Sequence, residues 1–124
     1  MADYDDSNVF AKILRGEIPN ETVYEDEHVL SFRDINPQAP THVLVIPKGR
    51  YVSSDDFFNE ASDAEIAAFF RAVGKIARQL GIVASGYRIL ANCGRDANQE
   101  VPHFHLHIFA GRHLGPMLAN TGGA

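Results

Sequence analysis

The sequence holds a single cysteine, Cys93, among 124 residues. One thiol closes no disulfide within the chain, and no Cys-x-x-Cys pair is available for zinc or redox work. His-Glu-x-x-His and Walker-type glycine patterns are missing as well. Cations are scarce: 11 Lys and Arg stand against 16 Asp and Glu, for a net charge of -5, and nowhere do the basic residues gather into a run. That excludes the phosphate-backbone footprint of a nucleic-acid-binding surface. No apolar run approaches the roughly 20 residues of a membrane-spanning helix. The N-terminus Met1-Ala2-Asp3-Tyr4-Asp5-Asp6 is acidic where a secretory leader is basic and then apolar, so the cytoplasm is the expected compartment. Neither an internal repeat nor a low-complexity tract is present.

What is present suits one domain spanning residues 1–124, because a hydrophobic content of 45% suffices for a single core. Residues 1–6 are expected to form a flexible tail, and residues 113–124, without firm period and Gly-rich at the end, a second one. Ser7 is placed to cap a short helix over residues 8–15, whose stripe is Val9, Phe10, Ile13 and Leu14, with Gly16 as the stop. Residues 22–25 and 29–35 read as a hairpin. The two prolines of Asn36-Pro37-Gln38-Ala39-Pro40 make that stretch a loop. Residues 41–47 are almost continuously apolar, the mark of a strand covered on both faces, and His42 is the strongly polar exception.

Residues 51–61 show no sustained period and read as loop or broken helix. Ser62 and Glu65 form a capping box, after which Ile66, Phe69, Phe70, Val73, Ile76, Ala77 and Leu80 recur at helical spacing until Gly81. Residues 87–92 read as a strand and 93–100 as a polar loop. The order of elements predicts an α+β domain, an antiparallel sheet with one long and one short helix segregated to one side.

The loop feeds the densest chemistry in the chain, His103-Phe104-His105-Leu106-His107-Ile108-Phe109. In an extended strand the three imidazoles project to one side and Phe104, Leu106 and Ile108 to the other, with neighbouring rings roughly 6.6 Å apart. Three readings stand. As catalysts, histidines supply a nucleophile and proton carriers near neutral pH, and like charges this close keep at least one ring neutral. As ligands, alternating strand histidines can converge on zinc with a third ligand from a neighbouring strand, such as His42, with Asp34, Asp96 or Glu100 in support. As plain structure, they would be half-buried rings bonded to carbonyls, an explanation needed three times in five residues and again at His42. In the loop, Gly94 permits an awkward turn and Asn92 and Gln99 are amide donors, the makings of a phosphate site or of an ordinary hairpin loop. Asp34, before the proline loop, could accept from a ribose diol or cap a turn.

The histidine row resembles the histidine triad motif, His-φ-His-φ-His-φ-φ with φ apolar, which names a superfamily of nucleotide hydrolases and transferases. Phe10-Ala11-Lys12-Ile13, Gly16-Glu17-Ile18-Pro19, the stretch from Phe32 to Pro47, and Gly86-Tyr87-Arg88 are similar to the Hint branch, the purine nucleoside phosphoramidases. The resemblance runs from about Val9 to Arg112. It implies a homodimer in which two five-stranded sheets join into a ten-stranded one, with a purine nucleoside monophosphate bound in each protomer and neither metal nor other cofactor.

It further implies that His105 attacks phosphorus in a P–N bond, that His107 and His42 orient rings and manage protons, and that His103 supports His105 through its carbonyl. Asp34 would hold the ribose; Phe10, Phe32, Ile35 and Ile13 would line the base pocket; Asn92, Gln99 and Val101 would contact phosphate and sugar. Many Hint proteins have Gly-Gln-Ser where this chain has Asn98-Gln99-Glu100. Asn98 is expected to adopt the left-handed conformation of that glycine. Glu100 is expected to weaken anionic ligands and favour a cationic leaving amine. Two alternatives remain beside this reading: hydrolysis of dinucleoside polyphosphates, as in the Fhit branch, and a zinc-binding or protein-interaction module with incidental turnover.

Overall fold

Strands β1 (Thr22–Glu25), β2 (Val29–Arg33), β3 (Thr41–Pro47), β4 (Arg88–Leu90) and β5 (Leu106–Ala110) form one antiparallel sheet in the order β1-β2-β3-β5-β4. The coordinates are a computed structural model, which describes residues 3–119. Helices α1 (Val9–Leu14), α2 (Ser54–Glu60) and α3 (Asp63–Gln79) and a 3-10 turn at Arg95–Ala97 complete the described elements. None of the described helices is long and apolar enough to cross a membrane.

Side-chain alternation along β3 divides the molecule. Val43 and Val45 enter a core with Phe57 of α2 and Phe69, Val73 and Ile76 of α3, whereas Leu44 and Ile46 join Phe10 of α1 with Leu30 and Phe32 of β2. The helices therefore cover both faces of the sheet, and the expectation that they gather on one side is corrected. The cause lies in α1, whose Phe10 stripe has nowhere to bury except against the even-numbered residues of β2 and β3.

Several local expectations shift. Asn8 caps α1, accepting from the Ala11 N–H at 2.9 Å, while the Ser7 hydroxyl turns back to Asp5. The aperiodic stretch 51–61 contains α2, a second short helix in place of the single one expected. Its capping box uses Ser53 and Asp56, and the buried Asp56 carboxylate accepts the Val52 and Ser53 N–H groups at 2.7 Å each. A seven-residue helix that buries one aromatic, Phe57, is too short to show a period. For α3 the capping box of Ser62 and Glu65 forms as the spacing predicts. β2 stops at Arg33 and β4 is three residues long.

At the end of β5, Gly111 sits at φ +102°, and a side chain there would come within 2.7 Å of Pro40. That close approach presses the proline loop against the strand that carries His107.

Candidate active site

Only His107 of the histidine row lies within β5; His103 sits in a bend and His105 in irregular backbone just before the strand. The alternation nevertheless holds through them, because Phe104, Leu106 and Ile108 all enter the helix-covered core. His105 and His107 face the opposite side with ring centroids 5.1 Å apart, somewhat closer than an ideal strand would place them. Register sets His42 against Phe109 and Leu44 against His107, which brings His42 diagonally onto His107.

The main chain assigns the ring protons, since a backbone N–H only donates and a carbonyl oxygen only accepts. His42 Nδ1 accepts from the Gln38 N–H at 3.1 Å, so the neutral ring carries its proton on Nε2. That Nε2–H points to His107 Nδ1 at 2.9 Å, with the Asp34 carboxylate 3.4 Å away as a second acceptor. His107 Nδ1 is thereby an acceptor, and its own proton sits on Nε2, toward the cleft. His105 Nδ1–H donates to the His103 carbonyl at 2.7 Å, which leaves the Nε2 lone pair of His105 free. One ring thus offers a lone pair and its neighbour an N–H.

Burial keeps these rings neutral. Desolvation is the main cause that lowers His105 below the ordinary imidazole value, partly offset by its bond to the His103 carbonyl and by the charges of Asp34 and Glu100. His107 is lowered to about 4, by burial first and then by its histidine neighbours. His103, fully buried, also falls to about 4, again chiefly through burial. His42 is lowered for the same reason, with Asp34 opposing.

His105 and His107 open onto a cleft of about 440 Å³, within the roughly 300–1,000 Å³ usual for small-molecule sites. Phe10, Ile13, Phe32 and Ile35 give it apolar lining, and Asp34, Asn92, Glu100 and Val101 line it as well. The Phe10 ring meets His105 edge-on at 4.9 Å and Phe32 at 5.6 Å. Asp34 uses one oxygen to cap the turn at the Asn36 N–H, at 2.8 Å, and keeps acceptor capacity for a ligand. Gln99 is not brought into the cleft. Its side chain ties the loop together, donating to the Val52 and Val101 carbonyls at 2.6 and 3.0 Å and accepting the Gly94 N–H. Gly94, at φ +80°, and Asn98, left-handed at φ 57° and ψ 46°, make that turn possible.

His42 and His103 do not line the cleft. Leu44, Val9, Ile18 and Asn98 line the cleft without having been expected as ligand contacts. The period of two along β3 from His42 was a usable signal for Leu44. Gln38, whose N–H sets the His42 tautomer, carries none, because any residue supplies that group.

Comparison with known proteins agrees with this geometry. The family model for the HIT domain matches residues 15–114. An uncharacterised 13.2 kDa HIT-like protein of Azospirillum brasilense is 68% identical over 115 residues, 93% of this chain and 94% of the relative. The purine nucleoside phosphoramidase of Escherichia coli K12 is 45% identical over 117 residues, 94% of this chain and 98% of the relative. Among solved structures, a HIT family hydrolase from Clostridium thermocellum superposes with a TM-score of 0.84 at 40% identity, covering 93% of this chain and 99% of that one. A histidine row backed by a partner histidine, on this five-stranded sheet and with these relatives, places the chain in the HIT family.

Proposed function

We propose that the protein hydrolyses purine nucleoside 5'-phosphoramidates through a covalent nucleotidyl-histidine at His105. The observation that carries this reading is the bond from His105 Nδ1–H to the His103 carbonyl, which leaves Nε2 unprotonated beside the His107 Nε2–H. In the first half-reaction the Nε2 lone pair attacks phosphorus, the P–N bond breaks, and the departing amine takes up a proton from solvent, which the second half-reaction returns. In the second, water attacks the phosphorus, releases one proton and frees His105 as neutral imidazole. His107 donates to the phosphoryl group throughout, held in register by His42. Phe10, Phe32, Ile35 and Ile13 enclose the base, Asp34 receives the ribose hydroxyls, and Asn92, Asn98 and Val101 lie toward the phosphate. Gln99 shapes that loop.

Charge supports a phosphoramidate over a polyphosphate chain. The lining residues of fixed charge are Arg33, Asp34 and Glu100, and Arg33 is already paired with Glu21 at 2.7 Å. No unpaired cation among them balances further phosphates, whereas Glu100 suits a positively charged leaving group. The unpaired outer edge of β4, with Ile89 about half exposed, supports a homodimer formed by joining two sheets. A single domain acting in the cytoplasm completes this reading, consistent with a lone, exposed cysteine.

A second reading has one observation behind it: ligand atoms of Asp34, His42 and His107 lie within 4.8 Å of one another. Zinc bound there would have to displace the proton shared by His42 and His107.

Turnover of an adenosine phosphoramidate and of a diadenosine polyphosphate, each with and without EDTA, separates these readings. The expected result is a strong preference for the phosphoramidate, unaffected by chelation. Preference for the polyphosphate, or loss of activity in EDTA, refutes the proposal. In the same assay, Glu100→Ser is expected to narrow the preference for a cationic over a neutral leaving amine.

A further inference from the structure

We propose that Tyr4 is a positioning residue for the histidine row: its hydroxyl pins the His103 ring, and so fixes the carbonyl that holds His105 in its attacking tautomer. The sequence reading assigns residues 1–6 to a flexible tail, yet Tyr4 is half-buried and its oxygen lies 2.5 Å from His103 Nδ1, 99 residues away in the chain. The two rings meet edge-on with centroids 5.6 Å apart.

His103 has no exposed surface and, among the described residues, no alternative partner at that nitrogen. Its Nε2–H donates to the Pro47 carbonyl at 2.8 Å, so Nδ1 is the acceptor and the phenol is its donor. Removing the phenol proton would strand a buried ring nitrogen, a costly state that the ring escapes by turning or by changing tautomer. Turning the ring breaks its bond to the Pro47 carbonyl, and changing tautomer sets the Nε2 lone pair against that carbonyl; both strain residue 103, whose own carbonyl is the sole hydrogen-bond partner of His105 Nδ1 among the described residues.

The strap that delivers Tyr4 is itself anchored. The Asn8 amide donates to the Asp5 carbonyl at 2.7 Å while its oxygen caps α1, so the strap and the helix carrying Phe10 move together. Arg50 lies over the Tyr4 ring at 5.1 Å and pairs with Asp6 at 2.9 Å, joining the strap to the turn after β3. Phe10 completes the link, with its ring 6.3 Å from His103 and 4.9 Å from His105. One segment thus fixes both the apolar wall and the support of the attacking ring.

This role rests on His105 as the nucleophile, and its test keeps the two apart. Tyr4→Phe removes one oxygen and retains the ring packing. In histidine-labelled protein without substrate, the variant is expected to shift His103 15Nδ1 toward an unbonded imine. With a phosphoramidate substrate, kcat is expected to fall about tenfold, equivalent to about 1.4 kcal/mol, with KM changed less than about twofold. Arg50→Gln, which loosens the strap without touching His103, is expected to produce a smaller change in the same direction. An unmoved His103 signal overturns the contact, whatever the enzyme's mechanism. A moved signal with unchanged kcat overturns the positioning role, as does a fall in melting temperature unaccompanied by a fall in kcat.

Discussion

The two faces of the strip from His103 to Phe109 carry opposite duties. Toward α2 and α3, Phe104 stacks on Phe57 at 4.9 Å and packs against Phe69 at 5.2 Å, in a layer with almost no exposed surface. Toward the cleft, the alternate residues are imidazoles, covered by a six-residue helix and an N-terminal strap. The first face is sealed, and the second must stay open to a ligand while remaining dry enough to keep its rings neutral. A period of two lets one segment serve both duties, so substitutions one position apart should act on different properties.

The largest separation is expected from Phe104→Ala. Emptying the center of the aromatic cluster should cost about 3–5 kcal/mol of folding stability, measured by urea denaturation, with kcat per folded molecule close to native. A comparable loss of kcat in the folded fraction would show that the faces are coupled.

A graded effect is expected from pH. His103 and His107 are held near 4 in the fold, against an ordinary value of about 6.5 when unfolded. The unfolded chain therefore binds more protons between those values. Stability from these groups is complete above about 6.5 and is lost as the pH falls toward 4. Melting temperature should be level above neutrality and decline across that window, and His103→Phe should flatten part of the decline. A melting temperature that stays level down to pH 4 would mean that the rings are not buried as described.

How much was legible beforehand follows the same division. On the face that packs against α2 and α3, the local features could be read: the run over residues 41–47 became β3 with those bounds, and the capping box before α3 formed as spaced. The histidine row and its shared direction were visible for the same reason, and the left-handed Asn98 through the glycine that the resembling family carries there. Illegible features depend on pairing across the chain. Tyr4 reaches His103 and Gln38 offers only its backbone, whereas α2 was illegible because seven residues are too few to show a period. Gln99 shows the converse, a residue of suitable chemistry turned inward to brace a loop.

The central claim concerns one atom, Nε2 of His105. Enzyme mixed in slight excess with an adenosine phosphoramidate, quenched within a turnover and measured by intact and peptide mass, tests it directly. An added adenylyl mass is expected on the peptide carrying His105, absent in His105→Ala, which should also lose turnover by at least about a thousandfold. Turnover by His105→Ala at the native rate, or an adduct located on His107 or His42, would contradict it.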